Sequence, residues 1–197
     1  MNKILLIDGH SILNRAFYGV PPLTNFEGLH TNAVYGFINI MLKSLEDEHA
    51  DYIAVAFDLK APTFRHEMFA EYKGTRKPMP QELHEQVPVI KEVLAAMTIP
   101  VITLEGYEAD DILGTLAKRC QRDGFEVSIL SGDRDLLQLA DEHIKIRMPK
   151  TVKGQTSIEN YYPSDVIDKY QVTPEEFIDL KALMGDSSDN IPGVPGI

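Results

Sequence analysis

A chain of 197 residues with 44% hydrophobic content fits one globular domain, or one domain with an appendage, and has enough apolar residues for a core. It has no apolar stretch near the ~18 residues a membrane span needs, no signal-peptide pattern, and a single cysteine, Cys120. An internal disulfide is therefore excluded, a membrane partner is not expected, and the cytoplasm is the expected compartment. The net charge of −11 argues on its face against a polyanionic partner, but nine of the 30 acids belong to the clusters described below, and without them 21 acids stand against 19 bases.

Taken in chain order, apolar runs predict strands over 3–8, 52–58, 100–104, 126–130 and 143–148. The first, second and fourth are nearly continuous, as in strands covered on both faces. Helical spacing falls between them. Val34, Phe37, Ile38, Met41 and Leu45 mark one helix, and Val89, Ile90, Val93, Leu94 and Met97 a second. Ala109, Ile112, Leu113, Leu116, Ala117 and Cys120 mark a third, with Gly124 as its stop. Pro88 either kinks a helix begun near Gln81 or marks its true start. Alternating strand and helix predicts an α/β fold with a doubly wound, mostly parallel sheet, in which ligands bind beyond the carboxyl ends of the strands.

Acids gather at those ends. Asp8 ends the first run and Asp58 the second. Glu108, Asp110 and Asp111 follow the third, Asp133 and Asp135 the fourth, and Asp186 and Asp189 come near the end of the chain. Each has a local explanation: a helix dipole for Asp110 and Asp111, a cap for Asp8, turns for Asp133 and Asp189. Convergence from five separate stretches has none, because two carboxylates ~4 Å apart repel by about 4 kcal/mol at an effective dielectric of about 20. Cations resolve the conflict, and oxygen-only ligands select Mg²⁺ or Mn²⁺ over zinc. Two cations held by carboxylates suit in-line attack of water on a phosphodiester. The histidines are scattered, with His10, beside Asp8, the one nearest the cluster.

Residues 60–80 carry Lys60, Arg65, Lys73, Arg76 and Lys77 against two acids, interleaved with Phe64, Phe69 and Tyr72. Bases with aromatics suit a single nucleic-acid strand, though a solvated loop has the same composition. A second basic stretch, Lys145, Arg147, Lys150 and Lys153, suits either a duplex backbone or a solvated hairpin.

With these residues assembled, the chain resembles the flap-endonuclease family of PIN-like fold, as found in the 5′-nuclease domain at the N-terminus of bacterial DNA polymerase I. The motifs that carry the resemblance are Leu5-Leu6-Ile7-Asp8-Gly9-His10, Ala56-Phe57-Asp58, Glu71-Tyr72-Lys73-Gly74-Thr75-Arg76, Glu108-Ala109-Asp110-Asp111, Ser131-Gly132-Asp133-Arg134-Asp135, and Gly185-Asp186-Ser187-Ser188-Asp189-Asn190-Ile191-Pro192-Gly193, in that order. The resemblance implies 5′→3′ exonuclease and flap-endonuclease activity on DNA with 5′ ends or 5′ flaps, with two or more Mg²⁺ (or Mn²⁺) ions. It implies Asp8, Asp58, Glu108 and Asp110 as ligands of a first metal. Asp133, Asp135 and Asp186 or Asp189 are implied for a second, with Asp111 an associated acid. Lys73 and Arg76 match arch positions that engage the scissile phosphate and 5′ strand. Tyr72 would stack on a base, and Arg15, Arg65 and Lys77 would add DNA contacts.

The implied organisation is a PIN-like catalytic domain over 1–185, with a basic helical arch at about 60–80 and the start of a helix-three-turn-helix over 186–197. That motif breaks off at Ile197, so a fragment is expected, with polymerase domains downstream and a monomeric state. A free arch at 62–80 should be mobile, since it has little apolar surface to pack. Two rivals remain. A haloacid-dehalogenase-type phosphatase needs a second Asp where His10 stands, and a non-catalytic nucleic-acid binding module would bind without cleaving.

Overall fold

A computed structural model describes residues 1–152 and 155–196. Its centre is a six-stranded sheet in the order β3-β2-β1-β4-β5-β6. The strands are β1 (Lys3–Asp8), β2 (Tyr52–Ala56), β3 (Val101–Ile102), β4 (Glu126–Leu130), β5 (Ile144–Val152) and β6 (Gln155–Tyr161). The first five run parallel, and β6 turns back antiparallel on β5. The expected mostly parallel sheet is present. The third strand is only two residues long, and the fifth extends into a hairpin that the apolar pattern does not mark.

Alternation along the buried strands sends side chains to both faces. Leu5, Ile7, Val55 and Phe57 pack on α1 (Gly9–Gly19), α2 (Asn32–Glu48) and α5 (Gln86–Ala96). Leu6, Ala54, Val127 and Ile129 pack on α6 (Ala109–Arg122), α7 (Pro163–Tyr170) and α8 (Glu176–Met184). Each fully buried Phe, Leu or Ile contributes about 1.5–3 kcal/mol, so the two cores fix which strand end lies beside which. Between β2 and α5 lie the short α3 (Phe64–Met68) and α4 (Gln81–His84). Pro88 falls in the first turn of α5, where its missing N–H costs nothing, and α4 is a separate turn before it.

The second basic stretch is structural. Arg147 is buried under α2, its guanidinium paired with Glu48 and, at 3.2 Å, with Asp47. Lys145 reaches Glu48 at 2.8 Å, and Lys150 pairs with Glu159 at 2.6 Å. Acids of the same chain hold all three, Arg147 buried and Lys150 in an exposed pair, which supports a hairpin with its own ion pairs over a duplex contact. Lys153 lies outside the described residues, as does Ile197.

Candidate active site

The carboxyl ends of β1, β2 and β4 and the N-terminus of α6 meet at one edge of the sheet. Gly9 makes the closest approach possible: a Cβ there would come within 2.5 Å of the Phe57 ring. Asp8 caps α1, accepting from the Ser11 N–H at 3.0 Å and the Ser131 hydroxyl at 2.7 Å. Burial lifts its carboxyl to about 6, and the charges of Asp58 and Asp133 add to the rise. Asp58 accepts from the Ala109 N–H at 2.7 Å, with His10 Nδ1 3.3 Å from its other oxygen. Against the burial that would raise it, these two donors hold Asp58 below the ordinary carboxylate value.

Asp110 is in the opposite condition. Among the described residues no hydrogen-bond donor reaches its carboxylate. Burial, then the charges of Asp8, Asp133, Asp58 and Glu108, push it up to about 8. Asp133 caps a 3₁₀ turn over Arg134–Leu139, accepting from the Asp135 N–H at 2.9 Å, and it too is raised, chiefly by burial. Asp135 and Asp186 share Lys181, at 2.9 and 3.2 Å. Burial opposes the low value of Asp186, but the Ser188 hydroxyl and amide and Lys181 bring it down to about 2. Lys181 was not among the residues singled out from sequence. Its one legible signal is a base one turn before an acid at the end of a helix.

The arch lies directly over this edge. Lys73 Nζ is 2.8 Å from Glu108 Oε1, and the Tyr72 hydroxyl is 3.0 Å from both Glu108 Oε2 and Asp189 Oδ2. Arg76 pairs with Asp189, and Arg65 makes a two-pronged contact with Asp111 at 2.7 and 2.8 Å. Backbone contacts dock the arch on the Asp186–Asn190 turn: the Lys73 N–H donates to Asp189 O and the Asn190 side-chain amide to Glu71 O, both at 2.9 Å. Gly185 shapes that turn with φ of +70°, where a Cβ would lie 2.3 Å from the Gly193 nitrogen. Lys73 itself holds φ of +57°, a left-handed conformation that an L-residue keeps only when its surroundings demand it.

These contacts bear on three expectations. Polar ties dock the arch over the carboxylate edge in this arrangement. The Tyr72 ring is 6% exposed, so in this arrangement it is not offered to a base. Asp111 accepts from Arg65 and from the Glu108 N–H at 2.9 Å, so in this arrangement its carboxylate faces the arch. Lys77 lies exposed at the outer end of the arch. Arg15 sits elsewhere, with Asn39 and Lys43 in a cleft between α1 and α2.

Two adjoining clefts flank the Lys73–Glu108 contact. One, of about 240 Å³, is lined by Asp8, Asp58, Glu108, Asp110 and Asp133. The other, of about 360 Å³, is lined by Glu108, Asp110, Asp133, Asp135 and Asp189 together with the arch bases. Among the described residues no three side chains converge as the ligands of one ion do. The donor set nonetheless fits hard divalent cations. It is all carboxylate oxygen, and no donor among the described residues offsets the charge of Asp110.

Fold and site define a doubly wound domain with a carboxylate centre under a basic arch. The chain belongs to the family of 5′-3′ exonuclease N-terminal, resolvase-like domains, whose model matches residues 3–171. It is 55% identical over 195 residues to DNA polymerase I of Bacillus caldotenax and to that of Bacillus subtilis (strain 168), an alignment covering 99% of this chain. The chain spans 22% of the length of each of these relatives. Among solved structures it is similar to the T5 5′-exonuclease with bound divalent metal ions (zinc), with a TM-score of 0.76 and 25% identity. It is likewise similar to the bacteriophage T5 flap endonuclease in a complex with DNA and metal ions, with a TM-score of 0.77 and 25% identity. Both alignments cover 100% of this chain and 71% of the other. The catalytic core of Rad2, at 19% identity and a TM-score of 0.58, shares the fold. No helix among the described residues is long and apolar enough to cross a membrane.

Proposed function

We propose that this domain hydrolyses DNA phosphodiesters at 5′ ends and 5′ flaps with the help of two divalent cations, Mg²⁺ or Mn²⁺. The observation that carries the reading is Asp110, a carboxylate that no donor among the described residues reaches, set amid four other acids at the switch point of the sheet. Asp8, Asp58, Glu108 and Asp110 would hold one cation. Asp133 and Asp135, with Asp186 or Asp189, would hold the other. When bound, the cations supply Lewis-acid stabilisation of the phosphate and activation of water. Asp111 is left out of both sets because Arg65 holds it.

The chain's own residues do the rest. Lys73 and Arg76 now neutralise Glu108 and Asp189. Freed from those acids, the two bases would face the phosphate, where they would bind the 5′ strand and stabilise charge on its oxygens. Tyr72, tied to Glu108 and Asp189 alike, moves with them. Water is the nucleophile in this reading, and hydrolysis is a single displacement without a covalent intermediate. We place the domain in the cytoplasm as a monomer, and its likeness to DNA polymerase I, of which it spans 22%, supports polymerase domains after it. Release of a 5′ label from flap and overhang duplexes tests the reading: Mg²⁺ or Mn²⁺ should be required, and Asp133→Ala should abolish release. A metal-dependent rate unchanged by Asp133→Ala would overturn it, and DNA binding with no cleavage would favour a pure binding module.

A further inference from the structure

Two serines join the ends of the central strands, and no role in the reaction described so far uses them. Ser131, just beyond β4, has no exposed surface. Its hydroxyl donates to Asp8 Oδ2 at 2.7 Å and accepts the Asp133 N–H at 3.0 Å. Ser11, in the first turn of α1, closes the link from the other side. Its N–H donates to Asp8 Oδ1 at 3.0 Å, and its hydroxyl oxygen accepts the Gly132 N–H at 2.8 Å. The direction of the Ser131 bonds is fixed by chemistry: an amide only donates, an ionised carboxylate only accepts, and the hydroxyl has one proton. Asp8 and Asp133, 125 positions apart, are therefore connected through a single oriented hydroxyl. Asp8 lines the first cleft and Asp133 lines both. Asp58 is held differently, by an amide and His10, and Asp110 by no donor among the described residues.

We propose that Ser131, braced by Ser11, is a positioning residue that sets the spacing of Asp8 and Asp133 and so lets the two clefts take cations together; this rests on the metal-dependent reading above. A groove-wall serine with only a packing role would not be expected to link one acid from each proposed shell. Ser128 supplies the comparison. It lies on β4, three residues before Ser131, is 6% exposed, and donates to Glu48 at 2.5 Å, within the ion network at the end of α2.

The experiment measures Mn²⁺ binding to the whole chain without DNA, by electron paramagnetic resonance of free Mn²⁺, alongside thermal melts and flap-cleavage rates. Ser131→Ala should weaken Mn²⁺ binding about 10- to 100-fold, the cost typical of losing a group that orients a ligand. Ser131→Thr keeps the hydroxyl and should recover most of that loss. Should the extra methyl unfold so tight a site, Ser11→Ala replaces it as the second variant and should weaken binding several-fold. Ser128→Ala should lower the melting temperature and leave Mn²⁺ binding as it was. Ser131→Ala binding Mn²⁺ as the parent does would overturn the positioning role alone. So would an equal loss of binding in Ser128→Ala, which would mark the effect as general destabilisation. A parent chain that binds no Mn²⁺ would instead overturn the nuclease reading.

Discussion

Lys73 Nζ lies 2.8 Å from Glu108 Oε1, so the arch and the carboxylate centre neutralise one another across 35 positions of sequence. The same two groups serve the proposed reaction separately, one toward phosphate and one toward metal. Their contact defines a resting arrangement that divalent cations must displace.

Lys73→Ala should therefore have opposite effects on binding and rate. Removing the competing ammonium should tighten Mg²⁺ binding about 10- to 100-fold, since a charge-assisted contact of about 1.5–3 kcal/mol no longer has to be broken. The single-turnover rate of flap cleavage should fall about 100-fold, as on losing one group that stabilises transition-state charge. Calorimetric Mg²⁺ titration and a quenched-flow time course measure the two.

Tyr72→Phe tests the docking itself. The phenol meets two carboxylates but has one proton to give, and burial with those neighbouring charges raises its own value well above the ordinary. Its loss should destabilise the metal-free chain by about 1–2 kcal/mol. It should also speed hydrogen exchange at the Lys73 amide, which donates to Asp189 O. Exchange followed by mass spectrometry would show slow protection in the parent and rapid exchange in the variant.

The pH dependence of stability follows from the raised acids. Asp110 stands at about 8 and Asp8 at about 6, each raised first by burial, with neighbouring acids adding to it. The folded chain thus keeps protons that the unfolded chain has given up above about pH 4. The stabilisation is full below that pH and is lost as pH rises through about 6 to 8. Asp186, lowered to about 2, works the other way, its contribution present above about pH 4 and lost toward about 2. In a chelator, urea melts should show stability falling from about pH 5 to about pH 8, and Asp110→Asn should restore roughly 1–3 kcal/mol at the higher pH. Added Mg²⁺ should stabilise the parent at that pH and leave the variant little changed.

Arg147→Ala should cost about 1–3 kcal/mol, because Glu48 loses one partner but keeps Lys145 and the Ser128 hydroxyl, while Mg²⁺ affinity and the salt dependence of DNA binding stay as in the parent. Urea melts and binding titrations at several salt concentrations would show it. A shallower salt slope would return this stretch to the DNA.

Much of this site was legible in the sequence because the signals are local. Ile4-Leu5-Leu6-Ile7 before Asp8, and the runs before Asp58 and Asp133, state both a buried strand and an acid at its end. What was not legible depends on partners far along the chain. Asp110 and Asp111 are adjacent acids in one helical turn. Only the 100° between them, and an Arg65 supplied from 46 positions away, turns one to the centre and the other to the arch. Tyr72 reads as a stacking residue because its composition is that of a strand-binding loop, while its burial comes from Glu108 and Asp189. Lys145 and Arg147 read as surface because nothing near them announces that Glu48, the last residue of α2, reaches them. The β6 strand follows the same logic, its alternation masked by Glu159 and Asn160.

The central claim is that Asp110 and its neighbours form a cation-dependent hydrolytic centre. The most direct measurement is the cleavage rate of a 5′-labelled flap duplex by the parent chain and by Asp110→Asn, each in Mg²⁺ and in chelator. The account predicts cleavage by the parent only with Mg²⁺ and a rate at least about 100-fold lower for Asp110→Asn under the same conditions. Cleavage that persists in chelator, or an Asp110→Asn rate equal to the parent's, would contradict it.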